Sequence, residues 1–305
     1  MATRALTAVC ISPPIAIGSG VVTELYFTHE RASKIGWWTL LITVGVPIGP
    51  FIMGFVVQHA SVDWVFWIFV IINFVLFIGY LVLPIETLYI RAENSPDGVA
   101  HTNKSLIPKR INPKPFELLN FVQPLTLIRY ADVLIPACSY AIAFCYANIV
   151  IIVEMPAAIG EKFKLDAQQT GLQFIAVIVG CVLGEQGAKP LSNLFLSQYE
   201  KWTGRRQTWD RLWLAYPAFA IVWAGLLTWG FQIDHATDGV WNVTPLIGAG
   251  ITSFGLQLIT TTLVTYAVES IPRRSSEVGV FVNLFRQVFG FVSLVLLSVG
   301  IATCG

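Results

Sequence analysis

Three charged residues stand where charge is expensive: Glu185, Arg4 and Arg286 each fall inside or at the edge of a long apolar run. Glu185 lies about eight residues, or ~12 Å of helix, from the nearer polar end of its run. A charge at that depth costs ~2.5–3.5 kcal/mol on insertion scales, so the side chain should face a cavity or carry a proton. That is the chemistry of a proton carrier; a structural hydrogen bond to a neighbouring helix is the other reading. Arg286 should pair with a carboxylate or a helix end, in a structural or a coupling role. Tyr146, Asn148, Gln173, Gln257 and Thr261 are polar groups in mid-run that either line a cavity or bond one helix to another. Glu154, two residues before Pro156, falls near the end of its run as an interfacial charge or part of the same cavity. Two buried acids against two buried bases lean towards a cationic or neutral organic solute.

The elements that must hold these residues are membrane helices. Eight apolar stretches, 5–23, 35–62, 64–84, 133–153, 171–191, 212–233, 243–267 and 278–302, fill most of the 305 residues. About 20 helical residues cross a ~30 Å hydrocarbon core. Continuous apolar runs of that length exclude barrel strands, whose faces alternate. The composition, 55% hydrophobic and 12% charged, agrees, as does a mean hydropathy of +0.68. An all-α protein with eight transmembrane helices is expected, its first partner being the lipid bilayer.

Charge orients it. Assigned to alternate sides, one set of loops carries Arg31, Lys34, Arg91, Lys104, Lys109, Arg110, Lys114, Arg129, Lys201, Arg205, Arg206, Arg211, Arg273 and Arg274. The other set has no basic residue around 58–63 or 232–241, and only Lys162 and Lys164 between the fourth and fifth stretches. Basic loops stay inside, so the first set faces the cytosol and the Asn242-Val243-Thr244 sequon faces out. Eight helices with this pattern leave both termini outside; a chain so apolar more plausibly starts and ends in the cytosol. Helices are therefore expected to be missing at both ends.

Enzymatic chemistry finds little footing. The five cysteines show no Cys-x-x-Cys pair, and the four histidines fall in loops or at run ends without metal-ligand spacing. There is no His-Glu-x-x-His, Gly-x-Ser-x-Gly or phosphate-binding loop, so no enzyme, cofactor or metal is expected. The polar stretch 91–123 reads as a cytosolic linker, dividing three helices (1–90) from five (124–305). A second cytosolic segment, 196–211, interleaves Tyr199, Trp202 and Trp209 with Lys201, Arg205, Arg206 and Arg211. It reads as an interfacial anchor rather than a nucleic-acid site.

The sharpest motif is Gly45-Val46-Pro47-Ile48-Gly49-Pro50-Phe51-Ile52-Met53-Gly54. Gly45, Gly49 and Gly54 clear a helix face for close approach, while Pro47 and Pro50 each remove a backbone donor and bend the helix. A smooth face beside a bend suits a helix that rocks against a partner. The motif resembles the helix-5 antiporter motif of the major facilitator superfamily. Upstream, Glu24-Leu25-Tyr26-Phe27-Thr28-His29-Glu30-Arg31 is similar to the preceding loop in fungal drug:proton antiporter-type members. Asp63-Trp64-Val65-Phe66-Trp67 and Pro84-Ile85-Glu86-Thr87 resemble the start and end of family helix 6. Arg4 with Ser12-Pro13-Pro14 resembles the helix-4 motif, although Thr7, Ala8 and Cys10 depart from the Gln and Gly usual there. Gly184 to Asn193 resembles the end of family helix 8, with Asn193 where Asp is expected, and Gly204-Arg205-Arg206 resembles the basic end of the gating loop. Tyr266-Ala267-Val268-Glu269-Ser270 and Asn283 to Phe291 resemble helices 10 and 11.

The resemblance implies a partial major facilitator fold, family helices 4 to 11, with helices 1 to 3 and 12 absent. It implies a proton-coupled secondary transporter of small organic solutes (a drug, polyamine or similar cation), acting by alternating access as a monomer in the plasma membrane or an internal one. Glu185, Arg4 and Arg286 become proton-coupling candidates. Tyr146, Asn148, Glu154, Gln173, Gln257 and Thr261 become cavity candidates. Gly187, Asn193, Gly204, Arg205 and Arg206 become gating-loop residues. The competing expectation is a truncated membrane protein that does not transport.

Overall fold

The computed structural model describes residues 28–82, 123–203, 212–237, 239–271 and 274–304, with Thr7, Gly18, Gly20, Val21, Val22, Leu25 and Tyr26 besides. Every regular element among the described residues is helical. Among the described residues, seven helices are long and apolar enough to cross a membrane: Ser33–His59, Val62–Val82, Ala131–Gly160, Ala167–Ser192, Leu212–Asp234, Thr244–Ser270 and Glu277–Val295. They answer seven of the eight expected stretches. Most of the first stretch, Arg4, and nearly all of 91–123 lie outside the described residues, as do Gly204, Arg205 and Arg206.

Helix α1 (Thr28–His59) runs unbroken through Pro47 and Pro50, and α2 (Val62–Val82) follows after a two-residue turn. No residue of α2 is buried, so its apolar surface faces outward on all sides. A 3₁₀ turn (Gln123–Arg129) leads into α3 (Ala131–Phe144). From there the chain passes through a π turn (Cys145–Val150), a short α4 (Ile151–Met155) and a second π turn (Pro156–Glu161). Pro156 has no N–H for the carbonyl four residues back, which favours the wider coil beside it.

Helix α5 (Ala167–Thr203) corrects one expectation. It continues through Pro190 to Thr203, so Gly187 and Asn193 lie within a helix and not in a loop. The apolar residues Leu191, Leu194, Phe195, Tyr199 and Trp202 keep the helical period beyond the membrane run, and one proline does not end it. Helices α6 (Ala215–Asp234), α7 (Thr244–Ser270) and α8 (Ser275–Cys304) complete the bundle.

Helix α7 is the axis of the bundle, with 72% of its membrane window buried. Small residues explain how it is packed on two sides at once. On the α6 side, a Cβ on Gly248 would lie 2.6 Å from the Trp229 nitrogen, and one on Gly255 would lie 2.8 Å from Val222. On the α5 side, a Cβ on Gly184 would lie 2.7 Å from the Phe254 carbonyl, and Gly180 abuts Gly250. Without a hydrophobic drive between helices in lipid, such backbone approach is what holds them together.

The loops sort onto two ends as alternation requires. Gly54 near the end of α1 touches Ala167 and Gly171 at the start of α5. Lys162 Nζ donates to the Ile233 carbonyl at 2.5 Å and to the Asp234 carbonyl at 3.3 Å, and the Gly239 N–H donates to the Lys162 carbonyl at 3.0 Å. Loops 60–61, 162–166 and 235–243 therefore share the end poor in basic residues. Asp132, Leu212, Tyr216 and Tyr266 meet around one pocket at the opposite end.

Candidate functional site

Glu185 lies where three helices meet. Gly184 lets α5 press against Phe254 and Gln257 of α7, which carries the next side chain, Glu185, into the seam. There Glu185 is 4% exposed. Its Oε2 accepts from Gln257 Nε2 at 2.9 Å and from Thr261 Oγ1 at 2.6 Å, both on α7 and one turn apart. Its Oε1 points at α1, where Gly36 leaves it room: any Cβ at residue 36 would collide with that oxygen. Both donors are neutral, and among the described residues no basic group pairs with the carboxyl. The carboxyl is thus held by two neutral donors at the meeting of α1, α5 and α7.

About one helical turn along α1 from Gly36 is a narrow cleft between α1, α3, α7 and α8. Trp38 and Thr39 come from α1, Tyr140 from α3, Val264 from α7, and Asn283 and Arg286 from α8. Thr39 and Thr43 return their hydroxyls to the Gly36 and Thr39 carbonyls at 2.9 Å, which satisfies them within their own helix. Arg286 departs from the expected pairing. It is 4% exposed, its guanidinium lies 4.7 Å from the Phe144 ring centroid, and its Nε has no hydrogen-bond partner among the described residues. No carboxylate pairs with it among the described residues.

The remaining cavity candidates scatter. Gln257 and Thr261 converge on Glu185, as above. Asn148 is 1% exposed in the first π turn, which packs against α7 and α8, and both its amide atoms lack partners among the described residues. Gln173 is buried but donates to the Gln169 carbonyl of its own helix at 2.9 Å. Tyr146 is 55% exposed and faces outward, not into the cleft, and Glu154 is half-buried. The reason for Tyr146 is local: its neighbours Cys145 and Ala147 occupy the inward face.

The glycine motif divides. Gly54 makes the close approach: its Cβ would lie 2.7 Å from the Ala167 carbonyl and 3.1 Å from the Gly171 Cα. A Cβ on Gly45 or Gly49 would meet nothing within 4 Å among the described residues. Pro47 is buried on the side facing α5, so the helix presents a proline rather than the first two glycines to its neighbour. Gly36, Trp38, Tyr140 and Phe144 escaped the sequence reading. A lone glycine and single aromatics in apolar runs carry no signal until the facing helix is known.

The Major Facilitator Superfamily model matches residues 1–294 of the chain. "Probable efflux pump mfs2" of Aspergillus flavus is 24% identical over 95% of this chain and 70% of its own length. The "MFS-type transporter hepF" of Aspergillus oryzae is 24% identical over 92% of this chain and 58% of its own. "Efflux pump radE" of Floropilus chiversii is 24% identical over 91% of this chain and 52% of its own. The chain thus spans between about half and 70% of these relatives' lengths. No solved structure matches it.

Proposed function

The chain belongs to the Major Facilitator Superfamily, and from that premise we propose that it works as a proton-coupled secondary transporter of small organic solutes. The observation that carries the reading is Glu185, buried at the α1–α5–α7 junction on two neutral donors and against Gly36. In alternating access two groups of helices rock about a central site. Here α1 belongs to the first group (1–90) and α3 to α8 to the second (124–305), joined by the linker 91–123. Protonation at a seam between them biases which arrangement is favoured, because the carboxyl's environment differs between the two. Two relatives, one named a probable efflux pump and one an efflux pump, support export. The plasma membrane, a monomeric state and protons as the coupling ion belong to the same proposal.

A second reading is a membrane protein that spans the bilayer without transporting. One experiment separates them. The chain is reconstituted in liposomes, and uptake of permanently charged organic solutes is followed with and without an imposed pH difference. Gradient-stimulated uptake supports the transporter; rates equal to empty liposomes support the second reading.

A further inference from the structure

We propose that Arg286 is the anion-recognition group of the cleft, and that the solute is an aromatic organic anion rather than a cation. The inference deepens the transporter reading and rests on it for what the site is for and for the helix motion that admits the solute. The sequence leaned to a cation because two acids fall in apolar runs, but the geometry reverses that. Glu185 has its Oε2 engaged by Gln257 and Thr261 and its other oxygen turned to Gly36, and it does not line the cleft. The charge that does line the cleft is a guanidinium, 4% exposed, with a buried N–H that has no acceptor.

An unpaired buried charge is costly and persists where something else satisfies it. The Phe144 face supplies part of that, covering one side of the guanidinium at 4.7 Å. Among the described residues no acid pairs with the guanidinium or lines the cleft, and its Nε–H is left without an acceptor. A planar fork of N–H groups matches the paired oxygens of a carboxylate or sulfonate. Around it stand Trp38 and Tyr140, which suit a flat apolar ring, and Asn283 and Thr39 complete the wall. In this arrangement the cleft holds only about 10 Å³, room for about one water, so the anion enters only as α1 withdraws from α7 and α8, the motion alternating access requires.

The test uses two probes with the same ring and opposite permanent charge, benzenesulfonate and phenyltrimethylammonium. Each is titrated calorimetrically into the full chain in lipid nanodiscs, a readout that needs no flux. The wild type should bind benzenesulfonate at least about tenfold more tightly than the ammonium probe, the discrimination expected of a charge-assisted pair. Arg286→Gln should weaken the sulfonate by about ten- to a hundredfold and leave the ammonium unchanged. Arg286→Lys, which keeps the charge and loses the fork, should fall between and covers the case in which the Gln variant does not fold. Preference for the ammonium, equal binding of the two probes, or no sulfonate binding by the wild type overturns the proposal. Sulfonate binding without flux leaves it standing and removes the transporter reading instead.

Discussion

Replacing Gly54 and Gly49 by alanine, one at a time, separates packing from motif resemblance. At Gly54 the new Cβ lies 2.7 Å from the Ala167 carbonyl, so α1 and α5 must separate there by about 0.7 Å to restore a 3.4 Å contact. Backbone lies on both sides of that contact, so no side chain can turn away. Overpacking of this kind costs ~1–3 kcal/mol. Alanine recovers ~0.8–1 kcal/mol of helix propensity at either position. At Gly49 nothing lies within 4 Å of the new methyl, so only the favourable part remains. The two variants should therefore differ by ~1–3 kcal/mol in stability, with Gly49→Ala at or above the wild type and Gly54→Ala below Gly49→Ala. Thermal unfolding of each variant in the same detergent, followed by circular dichroism, reads the order directly. Gly54→Ala melting at or above Gly49→Ala would refute the claim that the motif acts through its last glycine.

The cradle of Glu185 gives a coupled pair. Gln257→Leu and Thr261→Val each remove a donor to the same oxygen and should each cost ~1.5–3 kcal/mol if the carboxyl is charged. The double variant should then depart from the sum of the two, and a purely additive double-mutant cycle in thermal unfolding would count against a shared partner. Phe144→Leu removes the ring beneath Arg286 and should cost ~0.5–2 kcal/mol in the same assay; an unchanged melting point would mean the contact contributes nothing. Lys162→Met takes the ammonium from the last carbonyls of α6 and should speed amide exchange at 234–241, which exchange mass spectrometry measures segment by segment.

The membrane helices were legible because a run of ~20 apolar residues has few other fates. The residues of the site were legible in part. Glu185, Gln257 and Thr261 announced themselves as polar groups in apolar runs, and the structure brings those three together. The same signal also marked Tyr146, which faces outward, and Gln173, which bonds to its own helix. Polarity alone says that a side chain needs a partner, not which face of a nearly uniform helix it occupies. Helix α2 shows the extreme: apolar all round apart from Asp63 and Asn73, it carries no periodic signal. The glycines illustrate a second limit. Spacing marked Gly45, Gly49 and Gly54 as equivalent, but which of them meets a neighbour depends on where α5 crosses α1, a three-dimensional fact set by Gly171 and Pro50.

The central claim is that Glu185 links a proton to the movement of an organic solute, and the isosteric Glu185→Gln variant tests it most directly. Gln keeps the shape and hydrogen-bonding capacity of the neutral acid and cannot ionise. Wild type and variant are reconstituted in liposomes, and solute exchange at equal pH is compared with net uptake under an imposed pH difference. The account expects the variant to keep exchange at equal pH and to lose the stimulation by the gradient. Gradient-driven uptake by Glu185→Gln equal to that of the wild type would contradict it and leave Glu185 a structural hydrogen-bond acceptor.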